Sequence, residues 1–286
     1  MHQALNTGAI GVRVRDLAEA IAAARLAGFT GVEFNVREVA DLIDLHGAEY
    51  VRGLFSSAGV RPAAWSHGLD WRGDEAAWRA GLAALPRLAA AAAAIGCPRT
   101  FQVLHSWSDT LPYAEFWDFC VARLQPIASI LGEHGCSLGL EFLGPTTLRA
   151  GKAHPFLYTV GDALTFGEAV GPNVGLLLDC YHWYTGHGTL DDLRGIAVER
   201  IVHVHVNDAP AGIPIDEQMD LVRDLPGETG VIDIAGFLGI LRDINYDGPV
   251  TAEPFKRELQ DLPSDAARLV RVKASLDKVW GATLRS

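Results

Sequence analysis

The stretch Val174-Gly-Leu-Leu-Leu-Asp179 decides the fold, because it is a short apolar run that follows Gly171-Pro172 and ends on a carboxylate. Such a run is typical of a strand buried on both faces of a parallel sheet. Three further apolar runs end in the same way, immediately before Glu141, His205 and Glu253. A carboxylate at a buried strand end is costly unless something pairs with it. The sequence therefore predicts a parallel sheet whose strand ends carry a cation site.

The composition restricts the classes of protein that need to be considered. The 286 residues are 49% hydrophobic and carry a formal net charge of −11, spread along the chain. An acidic surface repels nucleic acid, so we expect no nucleic-acid partner. The four cysteines show no metal-binding spacing, and neither a signal peptide nor a membrane-spanning run is apparent. We expect a cytoplasmic, soluble protein with no membrane partner.

Strand and helix patterns alternate along the whole chain. We expect a first strand over Leu5–Val12, helices that begin after Asp16 and Asp74, and later strands that end at the four residues named above. Eight such units favour a closed (β/α)8 TIM barrel over an open sheet, and no G-x-G-x-x-G follows an early strand. Residues 1–286 are expected to form a single TIM-barrel domain, with its long loops at the mouth where the strands end.

Four motifs resemble one enzyme family. GLEFLGP (139–145), LLLDCYHWY (176–184), HVHVND (203–208) and TAEPF (251–255) are similar to the second half of the sugar phosphate isomerase/epimerase family, the xylose isomerase-like TIM barrels. The family includes ketose 3-epimerases, hydroxypyruvate isomerases and inosose dehydratases. The resemblance implies that Glu141, Asp179, His205 and Glu253 bind one divalent metal ion. We expect Mn²⁺, with Mg²⁺, Co²⁺ or Zn²⁺ as alternatives, because the ligand set is rich in oxygen.

The same residues suggest a reaction. A metal ion in the mouth would act as a Lewis acid and stabilise the enediolate that forms when a carbon next to a carbonyl loses its proton. Glu141 and Glu253, expected on opposite sides of the mouth, are the candidate catalytic pair, one removing and the other returning a proton. The predicted function is a divalent-metal-dependent isomerase or epimerase of a small sugar or keto-polyol. The predicted partner is that small carbohydrate; a homo-oligomer is an open alternative to a monomer.

Further residues are candidates for substrate binding. The resemblance assigns this role to His182, three residues after Asp179. His67 and His105 end the third and fourth predicted strands. In the ketose epimerases an arginine follows shortly after the metal-binding histidine, where this chain has Ala209-Pro210-Ala211. Arg223, further along the same loop, is the candidate to take over the role of that arginine. Three residues are expected to support the site: Glu33 at the mouth, and Asn207 and Asp208 around the end of the His205 strand.

Three alternatives stay open. A lyase on the same scaffold shares the first proton abstraction and then expels a leaving group, as in inosose dehydration or elimination from a keto-glycoside. A non-catalytic sugar-binding subunit would be favoured by loss of a ligand, and none is lost. An apurinic endonuclease-like nuclease would carry an Asp-x-His after the seventh strand, where this chain reads Asp216-Glu217-Gln218. The net charge of −11 also argues against the nuclease.

Overall fold

The computed structural model describes residues 1–283 and contains a curled parallel sheet surrounded by helices. Each apolar run singled out in the sequence is one of its strands. The barrel strands are β1 His2–Leu5, β2 Gly31–Val32, β3 in two segments Arg61–Pro62 and Trp65–Ser66, β4 Arg99–Leu104, β5 Ser137–Phe142, β6 Val174–Asp179, β7 Ile201–Val206 and β8 Pro249–Ala252. All of their pairings are parallel.

The two segments of β3 close the barrel. Arg61 is in register with Gly31 of β2, whereas Trp65 is in register with Thr100 of β4. At the other join, β1 pairs with β8 through Gln3 and Val250. The sheet therefore has no free edge, and the predicted (β/α)8 TIM barrel is confirmed.

Helices cover the outside of the sheet and bury their apolar faces against it. Two predicted helix starts are confirmed, since Asp16 accepts a hydrogen bond from Glu19 N–H and Asp74 accepts one from Ala77 N–H. The helices are α1 Leu17–Ala27, α2 Val36–His46, α3 Ala48–Ala58, α4 Glu75–Ala94, α5 Tyr113–Glu133, α6 Thr146–Arg149, α7 Val160–Val170, α8 Cys180–Thr185, α9 Leu190–Arg194, α10 Ile234–Asp243 and α11 Asp265–Thr283. Short 3-10 turns occupy Val198–Arg200, Ile215–Glu217 and Arg257–Asp261.

The prediction of a first strand over Leu5–Val12 is wrong. The strand ends at Leu5, and the following residues turn at the mouth. Asn6 Oδ1 accepts a hydrogen bond from Ala9 N–H at 3.0 Å, and Gly11 has a positive φ of 69°. A side chain that bonds its own backbone competes with strand pairing, so the apolar pattern alone misplaces this strand.

The mouth loops follow the strand ends, as expected. The loop over residues 180–188 contains α8, and Trp107–Ser108 pairs with His154–Pro155 across the mouth as two short antiparallel segments. Within residues 1–283, no helix combines the length and apolar character needed to cross a bilayer. A single domain over residues 1–286 stays a prediction, and residues 284–286 lie outside the described part of the chain.

Candidate metal centre at the barrel mouth

Four strand ends bring Glu141, Asp179, His205 and Glu253 together, and we call these residues the mouth cluster. One ligand atom from each of them lies within 4.8 Å of the others. Their backbones come from β5, β6, β7 and the residue just after β8. Because inward-facing positions at the ends of adjacent parallel strands converge in a barrel, the sequence spacing translates directly into this geometry.

The interior of the mouth cluster suits a cation. His205 Nδ1 lies 3.3 Å from Glu253 Oε2 and 3.6 Å from Glu141 Oε1. Glu141 Oε1 and His205 Nδ1 are buried and have no hydrogen-bond partner among the described residues. Buried polar atoms are rarely left without a partner, and three carboxylates with one imidazole form an oxygen-rich ligand set. The residues present therefore fit a divalent metal ion.

The electrostatics of the mouth cluster are strongly perturbed. Burial raises the pKa of Glu141, and the nearby charge of Glu253 raises it further. Burial alone would lower the pKa of His205, but the carboxylates of Glu253, Glu141 and Glu33 raise it well above its usual value. Carboxylates on both sides of the His205 ring therefore compete for one positive charge, which is a situation that a bound cation relieves.

Asp179 is held more rigidly than the other carboxylates. Its Oδ1 accepts hydrogen bonds from Tyr181 N–H at 2.7 Å and from Asn207 Nδ2 at 3.1 Å. Its Oδ2 accepts one from Arg223 Nη1 at 2.7 Å. Burial alone would raise the pKa of Asp179, but the Arg223 guanidinium and the facing histidines lower it to about 2. Asp179 is thus an ionised group fixed in one orientation, unsuited to act as a base near neutral pH.

Arg223 lies among the carboxylates of the site. Besides Asp179, it contacts Glu253 Oε2 at 3.3 Å and Asp220 Oδ1 at 2.8 Å. Its guanidinium packs over the rings of Tyr181, at 4.7 Å, and Phe255, at 5.1 Å. Arg223, together with Asn207, therefore attaches the loop over residues 207–230 to the mouth cluster.

His182 reaches the same site from α8. Its Nε2 lies 3.9 Å from Glu141 Oε1, 3.6 Å from Asp220 Oδ1 and 3.2 Å from Arg223 Nη2. The ring is buried, and its position one helical turn after Asp179 brings it over the cluster. Substrate binding by His182 and Arg223 stays a prediction, with both side chains placed at the site.

His67 and His105 are placed less directly. His67 is only 1% exposed, and its Nδ1 accepts a hydrogen bond from Leu69 N–H at 3.1 Å. His105 packs edge-on against Trp107, with ring centroids 4.9 Å apart. Burial lowers the pKa of each ring to about 4. Within residues 1–283, no hydrogen bond or ion pair joins either ring to the mouth cluster, so their substrate role stays a prediction.

His203 was not among the site residues predicted from the sequence. It precedes His205 by two residues on β7, so both side chains face the barrel interior. His203 Nε2 lies 2.8 Å from Glu33 Oε1, and His205 Nε2 lies 3.4 Å from the same oxygen. The His-x-His spacing was the signal for this pair, and only the barrel closure shows that Glu33, just after β2, meets it.

Asp208 supports the site differently from the expectation. Its Oδ1 accepts hydrogen bonds from Ala209 and Ile232 N–H, and its Oδ2 from Thr229 and Gly230 N–H, at 2.8–3.1 Å. Asp208 therefore joins the two ends of the loop that carries Arg223. Asn207, by contrast, bonds directly to Asp179, a residue of the mouth cluster.

A cavity of about 370 Å³ opens next to the mouth cluster. Its wall includes several groups that can hydrogen-bond hydroxyls and two aromatic rings, namely Asn6, Glu33, Asn35, Ser66, Trp65 and Phe101. Phe101 also contacts the rings of His203 and His205, with centroids 5.8 and 6.0 Å away. Phe101 therefore lies between the cavity and His205 of the mouth cluster. The cavity wall combines polar groups with the flat apolar surface that sugar rings pack against.

The chain belongs to the family of xylose isomerase-like TIM barrels, whose family description matches residues 21–276. It is similar to a xylose isomerase domain protein of Alicyclobacillus acidocaldarius subsp. acidocaldarius, with 29% identity, a TM-score of 0.85 and 99% of each chain covered. A crystal structure of an IolI protein with a bound zinc atom shares the fold, at 20% identity, a TM-score of 0.78 and 98% coverage of each chain.

Characterised enzymes are also similar to the chain. The inosose isomerase of Halalkalibacterium halodurans is 27% identical over 229 residues, which are 78% of this chain and 76% of that protein. The L-ribulose 3-epimerase of Methylomonas sp. is 27% identical over 142 residues, 49% of this chain and 43% of that one. The 3-dehydroshikimate dehydratase of Pseudomonas putida is 29% identical over 136 residues, 47% of this chain and 21% of that one. The relatives are thus isomerases, epimerases and a dehydratase.

Proposed function

We propose that the protein is a divalent-metal-dependent isomerase or epimerase of a small sugar or keto-polyol. The observation that carries the proposal is the mouth cluster, in which three carboxylates and one imidazole converge with Glu141 Oε1 and His205 Nδ1 facing one another. Glu141, Asp179, His205 and Glu253 would hold the metal ion, with Mn²⁺ expected and Mg²⁺, Co²⁺ or Zn²⁺ as alternatives. When bound, the ion would supply the positive charge that stabilises an enediolate-type oxygen pair on the substrate.

The residues of the chain would do the proton transfer. Burial raises the pKa of Glu141, and its Oε1 has no hydrogen-bond partner among the described residues, so Glu141 is the candidate to return a proton to the substrate. Glu253, whose Oε2 lies 3.3 Å from Arg223 Nη1, is the candidate to abstract one. His182, between Glu141 and Asp220, would contact the substrate carbonyl or the neighbouring hydroxyl.

A lyase is the second candidate, and the similarity to a dehydratase favours it. The same glutamate would abstract the proton, and a neighbouring acid would protonate the leaving hydroxyl. Asp220 and His182, 3.6 Å apart, are a pair that could supply this proton. The first step is common to both reactions, so the product distinguishes them.

The test is a screen of keto-sugars and inososes in D₂O, with and without added Mn²⁺ after chelator treatment. An isomerase or epimerase would incorporate deuterium at the carbon next to the carbonyl and leave the substrate composition otherwise unchanged. A lyase would yield a product lighter by one water or one aglycone. Full activity of the chelated protein, or no exchange with any keto-sugar or inosose, would contradict the proposal.

A further inference from the structure

Glu33 contacts the back of the proposed metal site. It follows β2, and its side chain is 7% exposed. Oε1 lies 2.8 Å from His203 Nε2 and 3.4 Å from His205 Nε2, while Oε2 accepts a hydrogen bond from Asn6 Nδ2 at 2.9 Å. Both oxygens are thus engaged, and the carboxylate is fixed from two sides.

The His205 ring is arranged with a different environment at each nitrogen. Nδ1 points into the mouth cluster, 3.3 Å from Glu253 Oε2. Nε2 points away from it, towards Glu33. A histidine binds a metal ion through the nitrogen that carries no hydrogen, and the other ring nitrogen then donates its N–H to an acceptor. A carboxylate on the Nε2 side favours the hydrogen there and leaves the Nδ1 lone pair for the cation.

We propose that Glu33 is a positioning residue. Its Oε1 lies 3.4 Å from His205 Nε2, which has no hydrogen-bond partner among the described residues, and it would accept the Nε2–H when the cation binds, thereby holding Nδ1 in the orientation that binds the divalent cation. This inference rests on the proposed function, since it assumes that the mouth cluster binds a metal ion. His203 has an accessory part in it, since its ring donates to the same Glu33 oxygen and packs against Phe101.

The first test is metal affinity, measured by competition of Mn²⁺ or Co²⁺ between the protein and a chelating dye. Glu33→Gln should weaken the affinity about 10–100-fold, the usual effect of losing an acceptor behind a ligand histidine. Glu38→Gln is the matched control, because Glu38 lines the same cavity but accepts a hydrogen bond from Leu17 N–H and does not contact His205. This control should bind as the unsubstituted protein does.

The second test needs no variant. In zinc-loaded protein, the ¹⁵N shifts of His205 should show a protonated Nε2 and a metal-bound Nδ1. Binding through Nε2, or an unchanged affinity in Glu33→Gln, would overturn the role of Glu33. His203→Asn should weaken the metal affinity far less than Glu33→Gln does. An equal loss in both variants would indicate that each merely disturbs the packing around His205, and it would also overturn the role of Glu33. If the unsubstituted protein binds no Mn²⁺, Co²⁺ or Zn²⁺, the proposed function itself fails.

Discussion

Glu141 and Glu253 have different surroundings within one site, which makes them separable by mutation. Glu141→Gln and Glu253→Gln each keep an oxygen near the metal position and remove a base. For an epimerase, each should lower turnover by about 10²-fold or more, because a proton has to be removed on one face and returned on the other. One variant should still exchange the substrate proton with D₂O, since half of the reaction survives.

Steady-state kinetics and mass spectrometry in D₂O measure these two effects. Glu38→Gln, in the cavity wall, is the control for loss of a carboxylate nearby. If both glutamine variants turned over at the unsubstituted rate with metal bound, the two-glutamate mechanism would be wrong. The base would then have to be His67, His105 or His182.

Arg223 stabilises the fold as well as the site. Its charge compensates Asp179, which is fully buried, and reaches Glu253. Arg223→Met would leave a buried carboxylate without its partner, which costs about 3–5 kcal/mol of unfolding free energy. Urea denaturation of the metal-free protein measures this loss.

An exposed arginine provides the comparison for Arg223. The Arg15 side chain is 84% exposed and pairs with Glu19 on the surface, so Arg15→Met should leave the unfolding free energy nearly unchanged. Equal effects of the two substitutions would show that Arg223 is not compensating the buried carboxylates.

The link between β5 and α8 depends on a glycine. Gly144 follows Glu141 by three residues, and a Cβ there would overlap the His182 carbonyl oxygen, Thr185 Oγ1 and Gly186 N. Gly144→Ala should therefore displace α8 and lower the unfolding free energy by about 1–3 kcal/mol. Because α8 carries His182, the displacement should also weaken substrate binding and raise KM. Gly161 on α7 has no atom within 4 Å of such a Cβ.

Gly144→Ala and Gly161→Ala form a matched pair of variants, to be compared by denaturation and by enzyme kinetics. Gly161→Ala should be neutral or stabilise by up to about 1 kcal/mol, because alanine is the better helix former. It should leave KM unchanged. A Gly144→Ala variant as stable and as active as Gly161→Ala would show that α8 can shift without consequence for the site.

The strands that end at Asp179 and His205 could be predicted because burial on both faces gives an uninterrupted apolar run. The first strand could not be predicted correctly, because the Asn6 side chain accepts a hydrogen bond from Ala9 N–H and turns the chain. The four residues of the mouth cluster could be predicted because they lie at the ends of parallel strands, and these ends all lie at one mouth of the barrel. The contact between Glu33 and His203 could not be predicted, because residues 170 positions apart meet only when the barrel closes. The contact between Arg223 and Asp179 could not be predicted either, because it depends on the path of the loop over residues 207–230.

Within the described part of the chain, the barrel buries His67 without a carboxylate partner, and this has a consequence for its acid stability. Burial lowers the pKa of His67 to about 4, from a usual value of 6.5. Between these two pH values the unfolded chain binds a proton at His67 that the folded protein does not bind. Stability therefore rises with pH across this window: the full contribution is present above pH 6.5, and it is lost as the pH falls towards 4.

Replacing His67 should remove this pH dependence. The shift from 6.5 to about 4 corresponds to about 3 kcal/mol, so the metal-free unsubstituted protein should lose up to that much more stability than His67→Asn between pH 7.5 and pH 4.5. Urea unfolding at several pH values, with EDTA present, gives both curves, and taking their difference cancels the opposite contribution of His205. His46→Asn, at an exposed helix end, is the control for loss of an imidazole. If the curve for His67→Asn ran parallel to that of the unsubstituted protein, water would reach the His67 ring and the acid sensitivity of the barrel would arise elsewhere.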